Sequence, residues 1–596
     1  MFQKSPGGKQ IEGMACNLHN ISMIHHVSIN QKEGSIFMSS IYESKFWLKN
    51  YDWKTEPTLR YPKFPAYSLL RNASTYQPHK AATWFYGAEI TFNELYLKCT
   101  RLANVLVERG VKKGDRVGIL LPNCPQFVIA YWAINMAGGI IVNINPLYTK
   151  EELKFIFEDT TPAALVTYDA MLPLVRPLNK ELKQPIAAVF VSKLSDFMAG
   201  TPISTAADLG LEEGYFHLCE ALETDKIWAP PLVDIRPDDP MVIQYTGGTT
   251  GFPKGAVLTN ANVVAGSIGI WRWCSDYVDS QSYDRRRVLS IIPFCHIYGE
   301  TACIGYSTVH VATMVILPRF DPNEVFDILH KFENFSYWPA VPTMLQALFY
   351  SPRVNEIDWH GKIGYCGSGA APASVELIKK CRTYDFNFAE GWGMSETCAT
   401  GLGSPGQGNH KPLSVGIPMT DYTIRIVGED GNDVPLGERG EIWIKGPTVM
   451  KEYWNRPEDT QKAFSEDGYL KTGDVAYMDE DGVVFIVDRT KDMIIAGGYN
   501  IYPQDVDSAL LRNPKVADAM TIGVPDEYRG ETVKSFVVLV PGQTATEEEL
   551  SNWCRELLAP YKIPRIIEFR SELPRTNTGK ALRRLLREEE IAKKQS

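Results

Sequence analysis

The chain has 596 residues, of which 44% are apolar, 22% charged and 11% aromatic, and a formal net charge of −10. Its length exceeds what one hydrophobic core serves, so several structural units of an ordinary globular protein are expected. The negative balance, with no clustered basic block, argues against nucleic acid as a partner, and no apolar run of about 18 residues is present to span a membrane.

Residues 1–60 mix polar and apolar positions around Phe46, Trp47, Tyr51 and Trp53, and read as an N-terminal extension that packs in part on the body. Their polar start lacks a signal-peptide pattern, so a cytoplasmic protein is expected. The eleven cysteines, from Cys16 to Cys554, form no CxxC pair and read as small buried hydrophobes in a reducing compartment. Thr91 opens a helix with Leu95, Leu102, Val105 and Leu106 at its apolar positions. A strand at 116–121, a helix at 126–136 and a strand at 140–144 follow. This βαβ rhythm predicts an α/β fold with parallel-rich sheets layered with helices, and ligands in loops at the carboxyl ends of strands.

An apolar strand at 241–243 leads into Tyr245-Thr-Gly-Gly-Thr-Thr-Gly-Phe-Pro-Lys-Gly255, with a helix expected near Thr259. Gly247, Gly248 and Gly251 let the backbone turn tightly and present N–H groups to an anion. Thr246, Thr249 and Thr250 add hydroxyls, and Lys254 supplies a point charge suited to phosphate. Pro253 and Gly255 stand where a Walker A loop needs Gly and Ser/Thr, so this is a different phosphate loop. Gly401-Leu-Gly-Ser-Pro-Gly406 matches GxGxxG, but Pro405 disfavours the helix a dinucleotide site requires.

The rhythm changes near the C-terminus. A strand at 483–487, a charged turn at 488–492 and a strand at 493–495 precede a helix begun by Pro503, which suits a first helical turn. A strand at 535–540 and a helix at 547–558 complete a small α+β unit. The expected domains are the extension 1–60, a large N-terminal domain 61–488 and a small C-terminal domain 489–596.

Further motifs stand in order along the chain: Pro293-Phe-Cys-His-Ile-Tyr-Gly299, Gly367-Ser-Gly-Ala-Ala-Pro372, Gly391-Trp-Gly-Met-Ser-Glu-Thr397, Gly437 to Pro447, Tyr469-Leu-Lys-Thr-Gly-Asp474, Asp488-Arg-Thr-Lys-Asp492 and Pro574-Arg-Thr-Asn-Thr-Gly-Lys580. Together with the phosphate loop they resemble the adenylate-forming superfamily, which holds acyl-CoA synthetases, luciferases and the adenylation domains of peptide synthetases. The resemblance covers roughly residues 86–580. It implies an enzyme that activates a carboxylic acid with ATP to an acyl-adenylate and transfers the acyl group to coenzyme A, with Mg²⁺ as the metal.

On that resemblance, Gly367, Ser368, Gly369, Ala370, Ala371 and Pro372 form the adenine-side loop. Glu390, Gly391, Trp392, Gly393, Met394 and Ser395 hold adenine and the α-phosphate, with Trp392 stacking on the base and Ser395 bonding phosphate. Trp and Ser stand where the family often has Tyr and Thr. Glu396, with Thr246, holds Mg²⁺, and Asp474 and Arg489 take the ribose and phosphate. Segment 437–447 is structural. Lys580 joins Lys254 and Glu396 as a catalytic residue, serving adenylation only. The C-terminal domain then swings about Lys491, and Gly497, Gly498 and Tyr499 line the pantetheine tunnel.

The resemblance places His296, Ile297, Tyr298 and Val341 at the acyl pocket, with the apolar stretch 337–345 as its wall. Asn145-Pro-Leu-Tyr148 and Glu390-Gly-Trp-Gly393 are more similar to medium- and long-chain fatty acyl-CoA synthetases than to acetate enzymes. The stretch Ile297 to Glu300 lacks the Trp that gates the tunnel of some long-chain enzymes. Aryl- and alicyclic-acid ligases, and an enzyme loading a carrier protein, stay as alternatives. A homodimer and a reaction run toward ATP are both compatible with the sequence.

Overall fold

The computed structural model describes residues 41–596 apart from 224–227, 247–252, 275–280, 387, 406–410, 490–491, 497–498, 527–528, 576–580 and 596. The chain divides into two compact units, residues 1–45 and 46–596. Of the first, residues 41–45 are described, and they hold a short 3-10 turn, Ile41–Ser44.

In the second unit, an eight-stranded sheet runs in the spatial order Glu452–Tyr453, Lys254–Thr259, Pro240–Thr246, Ile140–Asn143, Arg116–Leu120, Ala164–Tyr168, Ala188–Ser192 and Tyr215–His217. From Pro240–Thr246 onward its neighbours are parallel, as the βαβ rhythm predicts. A nine-stranded sheet has the order Ile417–Pro418, Leu402–Gly403, Ala389–Trp392, Ile363–Ser368, Phe335–Ala340, Arg287–Ser290, Thr313–Ile316, Ala81–Phe85 and Ala88–Thr91. Its middle is parallel and its edges antiparallel.

Helix Phe92–Glu108 starts where Thr91 and Glu94 cap each other's backbone N–H, and it buries Leu95, Leu102 and Leu106. Helix Pro125–Met136 is apolar almost throughout and buried at every position, the pattern of a helix enclosed by the core. The expected helix near Thr259 is Asn260–Trp273, capped by Thr259. It does not follow the phosphate loop directly, because Lys254–Thr259 is first a strand antiparallel to Pro240–Thr246. The strands that flank the loop therefore pair with each other.

Toward the C-terminus, strands Thr423–Val427, Gly440–Lys445, Leu470–Met478 and Val484–Arg489 form an antiparallel sheet. Asp488 and Arg489, expected in a turn, lie in its last strand. The chain enters another sheet, of strands Tyr499–Ile501, Ile494–Ala496, Gly530–Leu539, Val516–Asp526 and Ile566–Phe569. The eleven-residue strand Val516–Asp526 was not expected. Helices Pro503–Leu511 and Glu547–Leu557 fall where the sequence predicts them. This sheet and its helices have their own core, which includes Ile494, Val506, Val537 and Leu550.

Residues 46–53 partly meet the expectation for the extension. Trp47 is fully buried, whereas Trp53 stays 81% exposed. Lys49 and Asn50 donate to the carbonyls of Glu480 and Asp481, and the Tyr51 hydroxyl to that of Pro418. The segment thus straps the turn between strands Leu470–Met478 and Val484–Arg489. Gly482 makes the strap fit: its φ is +80°, and a Cβ there would lie 2.4 Å from the Trp47 Cβ. All ten described cysteines are buried and free of disulfides.

A polar network crosses the core. Glu300, fully buried, accepts from the Tyr131 hydroxyl at 2.7 Å and from Asn143 at 2.6 Å. Asn143 also donates to Gln244, which donates to the Cys295 carbonyl. Glu300 opens a π-helical turn, Glu300–Gly305. Burial pushes its carboxyl up to about 7 from the ordinary 4.5.

Two outcomes are expected. Gly482→Ala adds a left-handed alanine and a clash, and should cost about 2–3 kcal/mol, seen as a lower urea midpoint; an unchanged midpoint would mean the strap is not seated on Gly482. Glu300 binds a proton more tightly folded than unfolded. Its stabilising contribution is therefore full below the unfolded value and is lost as pH rises through about 7. Relative to Glu300→Gln, the native chain should gain about 2–3 kcal/mol between pH 8 and pH 5; parallel pH–stability curves for the two proteins would refute this.

Candidate active site

The parallel strands Phe335–Ala340, Ile363–Ser368 and Ala389–Trp392 end side by side, with Ala340 opposite Ser368 and Ser368 opposite Glu390. Their carboxyl ends carry two of the predicted nucleotide segments. The Ser368 hydroxyl and Glu390 Oε2 are buried there without a hydrogen-bond partner. Glu390 Oε1 accepts the Ala373 N–H at 3.0 Å, and burial pushes the carboxyl up to about 7. Buried polar atoms left unmatched at strand ends are free to take a hydrogen bond from a ligand or a water.

Backbone packing there leaves no room for side chains. A Cβ on Gly393 would stand 2.2 Å from the Ala399 carbonyl carbon, and one on Gly391 would stand 3.1 Å from the Leu402 oxygen. Gly391 and Trp392 pair antiparallel with Gly403 and Leu402, which pair in turn with Ile417 and Pro418, so Leu402 and Gly403 of the GxGxxG match lie in a strand within the sheet and not in a dinucleotide turn. Gly367 and Gly369 sit beside the hydroxyl of Tyr337 and the ring of Tyr298. Ala370 takes a positive φ of 67°, and Ala371 and Pro372 continue the loop toward helix Val375–Arg382.

Trp392 donates its indole N–H to Asp474 Oδ2 at 2.8 Å. Asp474 is buried in strand Leu470–Met478, and its backbone lies opposite Arg489 in strand Val484–Arg489. Trp392, Asp474 and the backbone of Arg489, expected to take base and ribose, are thus adjacent, although they come from two sheets. The turn Met394 to Thr397 is closed by the Met394 N–H on the Thr397 hydroxyl at 3.1 Å. Ser395 and Glu396 lie on it, and it packs against strands Pro240–Thr246 and Lys254–Thr259.

Glu396 is buried, and its Oε1 accepts the Tyr453 hydroxyl at 2.7 Å. Lys254 donates to Asp459 Oδ1 at 2.7 Å and lies 5.3 Å from the Tyr453 ring centre. Thr246 pairs with Lys254 across the hairpin, and its hydroxyl donates to the Lys254 carbonyl. Glu396 Oε2 and the Thr246 oxygen are hard donors of the kind Mg²⁺ takes. Tyr453 and Asp459 are absent from the sequence reading; an acid in the first turn of helix Pro457–Ala463 looks like an ordinary helix-start residue.

At the acyl side, His296 Nδ1 accepts the Tyr298 N–H and caps the short turn Ile297–Gly299, which fixes that nitrogen as the unprotonated one. The hydroxyl of the half-buried Tyr298 donates to the Gly367 carbonyl at 3.0 Å. Val341 belongs to the hydrophobic core against which Tyr298 packs. In the expected wall 337–345, the Tyr337 ring lies 4.5 Å from Tyr306 and 6.0 Å from Tyr365.

Gly247, Gly248, Thr249, Thr250, Gly251, Lys491, Gly497, Gly498 and Lys580 lie outside the described residues, and Arg489 and Tyr499 are described by backbone alone. Arg575 and Ala581 form an antiparallel bridge. Elsewhere, Asp196, His217 and Cys219 gather possible metal donors within 4.8 Å. The Asp196 oxygens already accept the Lys193 and Ser204 N–H groups and the Ser204 hydroxyl, so they clasp a loop.

Residues 70–454 match the AMP-binding enzyme family, and residues 505–580 match the AMP-binding enzyme C-terminal domain. The chain is 38% identical over 559 residues to a long-chain-fatty-acid–CoA ligase of Bacillus subtilis, covering 92% of this chain and 98% of that one. It is 33% identical over 562 residues to one of Haemophilus influenzae, with 92% and 99% covered. Its fold is similar to ATP-bound MatB from Rhodopseudomonas palustris, with TM-score 0.78 and 29% identity over 88% of this chain and 98% of that one. No helix among the described residues is long and apolar enough to cross a membrane. With the family matched over most of its length and the strand ends arranged as above, the chain belongs to the AMP-binding enzymes and is an AMP-forming acyl-CoA ligase that uses ATP, Mg²⁺ and coenzyme A.

Proposed function

We propose that the acid is a medium- or long-chain fatty acid, activated at the strand ends around Glu390 and Trp392. The observation that carries the location is the Trp392–Asp474 hydrogen bond, which sets a flat ring and a two-oxygen acceptor side by side. The relatives named long-chain-fatty-acid–CoA ligases support the choice of acid. A cytoplasmic setting suits the buried, unpaired cysteines.

In the first step the carboxylate attacks the α-phosphorus of ATP and pyrophosphate leaves. Two anions must meet, so positioning and charge neutralisation carry the catalysis. Asp474 and Arg489 hold the ribose, Trp392 the base, and Ser395 the α-phosphate. The 246–254 loop and Lys254 hold the polyphosphate, and Lys580 neutralises charge at the reacting oxygens. Mg²⁺, held by Glu396 and Thr246, would supply a hard positive charge on the phosphoryl oxygens. In the second step the CoA thiol attacks the acyl-adenylate carbonyl and AMP leaves. A swing of residues 489–596 about Lys491 withdraws Lys580 and brings Gly497, Gly498 and Tyr499 to the pantetheine. His296, Ile297, Tyr298 and Val341 bound the acyl group.

The tyrosines 298, 306, 337 and 365 favour a second reading, an aryl-acid ligase. AMP release across acetate, hexanoate, palmitate, benzoate and cyclohexanecarboxylate separates the two. Hexanoate or palmitate should exceed acetate in kcat/KM by at least about tenfold, since each buried methylene adds about 1–3 kcal/mol; benzoate as the best substrate would sink the fatty-acid reading. Lys580→Ala should slow adenylation by about 10²–10³-fold and spare thioester formation from preformed acyl-adenylate. Equal losses in both half-reactions would remove Lys580 from this role.

A further inference from the structure

Segment 450–460 reaches both charged residues of the phosphate side. It is pinned along strand Lys254–Thr259: Tyr453 pairs with Ala256 and Glu452 with Val257. The Lys451 N–H donates to the Val257 carbonyl at 2.9 Å and the Trp454 N–H to the Gly255 carbonyl at 2.7 Å. The Tyr453 N–H donates to the Thr460 hydroxyl at 2.9 Å, which folds helix Pro457–Ala463 back toward the strand. Asp459, in that helix's first turn, thereby meets Lys254 at 2.7 Å, while the Tyr453 ring lies beside the same ammonium and its hydroxyl holds Glu396.

This pair is open to water, with the side chains of Lys254 and Asp459 38% and 29% exposed. An exposed pair is weak and exchangeable. A polyphosphate offers Lys254 several negative oxygens in place of one carboxylate. The released Asp459 stays at a helix N-terminus, where backbone N–H groups favour a negative charge. Exchange in both directions is therefore inexpensive.

We propose that Asp459 is a positioning residue: it is the resting counter-ion of Lys254, and the polyphosphate of ATP displaces it. The pair keeps the ammonium at the hairpin base while the nucleotide is away, and Asp459 recaptures it when pyrophosphate leaves. Asp459 thus competes with ATP and pyrophosphate for one cation. This rests on the reading of Lys254 as a phosphate ligand.

The test is Asp459→Asn in the full chain at low ionic strength, with Mg·ATP affinity measured by calorimetric titration without acid, and pyrophosphate product inhibition measured in turnover. Loss of the competitor should tighten both by about two- to fivefold, the range an exposed ion pair spans. The shift in KM for ATP should exceed any change in kcat. Glu458→Gln, a neighbouring exposed acid, should shift ATP affinity less. In a Lys254→Ala background Asp459→Asn should shift nothing. Weakened or unchanged affinity in Asp459→Asn, or the same tightening without Lys254, would overturn the proposal while leaving the phosphate role of Lys254 standing. If Lys254→Ala alone leaves ATP affinity intact, the reading of Lys254 fails and takes the proposal with it.

Discussion

The bond from the Trp392 indole to Asp474 joins two sheets that share no strand. The proposed base and ribose contacts depend on it. Strand Ala389–Trp392 delivers the tryptophan at the carboxyl edge of the nine-stranded sheet, and strand Leu470–Met478 delivers the carboxylate from the antiparallel sheet. Both groups are partly desolvated, so each would lose a partner if the sheets shifted. The close backbone approach at Gly391 and Gly393 holds the tryptophan strand in the position that the bond requires. On the other side, segment 46–53 straps the turn at 479–482 and so steadies the two strands that carry Asp474 and Arg489.

The charges on the phosphate side are arranged differently. Glu396 is buried and accepts a phenol hydroxyl, whereas Lys254 is half-exposed and paired with an acid. A buried carboxylate held by a hydrogen bond keeps its position. A surface ammonium held by a carboxylate can change partners. The arrangement separates a fixed group from an exchangeable one, as a site that must take up ATP and release pyrophosphate requires.

Much of this was legible before the fold was seen, and the exceptions share a cause. Thr91, the apolar stripe of Leu95, Leu102 and Leu106, and Pro503 mark helix starts by local chemistry alone. The nucleotide segments are contiguous runs, so their chemistry travels with their order. Strand Lys254–Thr259 was hidden because it is short and begins beside glycines, and its pairing with Pro240–Thr246 decides its state. Strand Val516–Asp526 carries Asp518 and Pro525, which a sequence reading counts against a strand. The charges of Asp488 and Arg489 suggested a turn, yet Asp488 is buried, accepts the Gln504 N–H at 2.8 Å and lies 3.9 Å from Arg583. Tyr453 and Asp459 reach the site only through strand pairing with residues some two hundred positions earlier, and no local pattern encodes that.

The same accounting bears on the proposed swing about Lys491. A segment can move as a body if its own core holds it together and little apolar surface binds it elsewhere. The buried clusters around Ile494, Val537 and Leu550 and around Met520, Phe536 and Leu586 are drawn from residues beyond 493. The tightest ion pair of Arg583, 2.6 Å to Asp507, is internal to that body and would travel with it. Contacts that cross to the rest of the chain among the described residues include the Gln504 N–H on Asp488 and the exposed pair of Arg439 with Asp505. Arg583 also lies 3.9 Å from Asp488 across this boundary; a hydrogen bond to a carboxylate contributes about 1.5–3 kcal/mol net, and an exposed ion pair less than about 1 kcal/mol. Their loss is small enough for substrate binding to offset, which is the energetic condition for one small body to serve two reaction steps in turn.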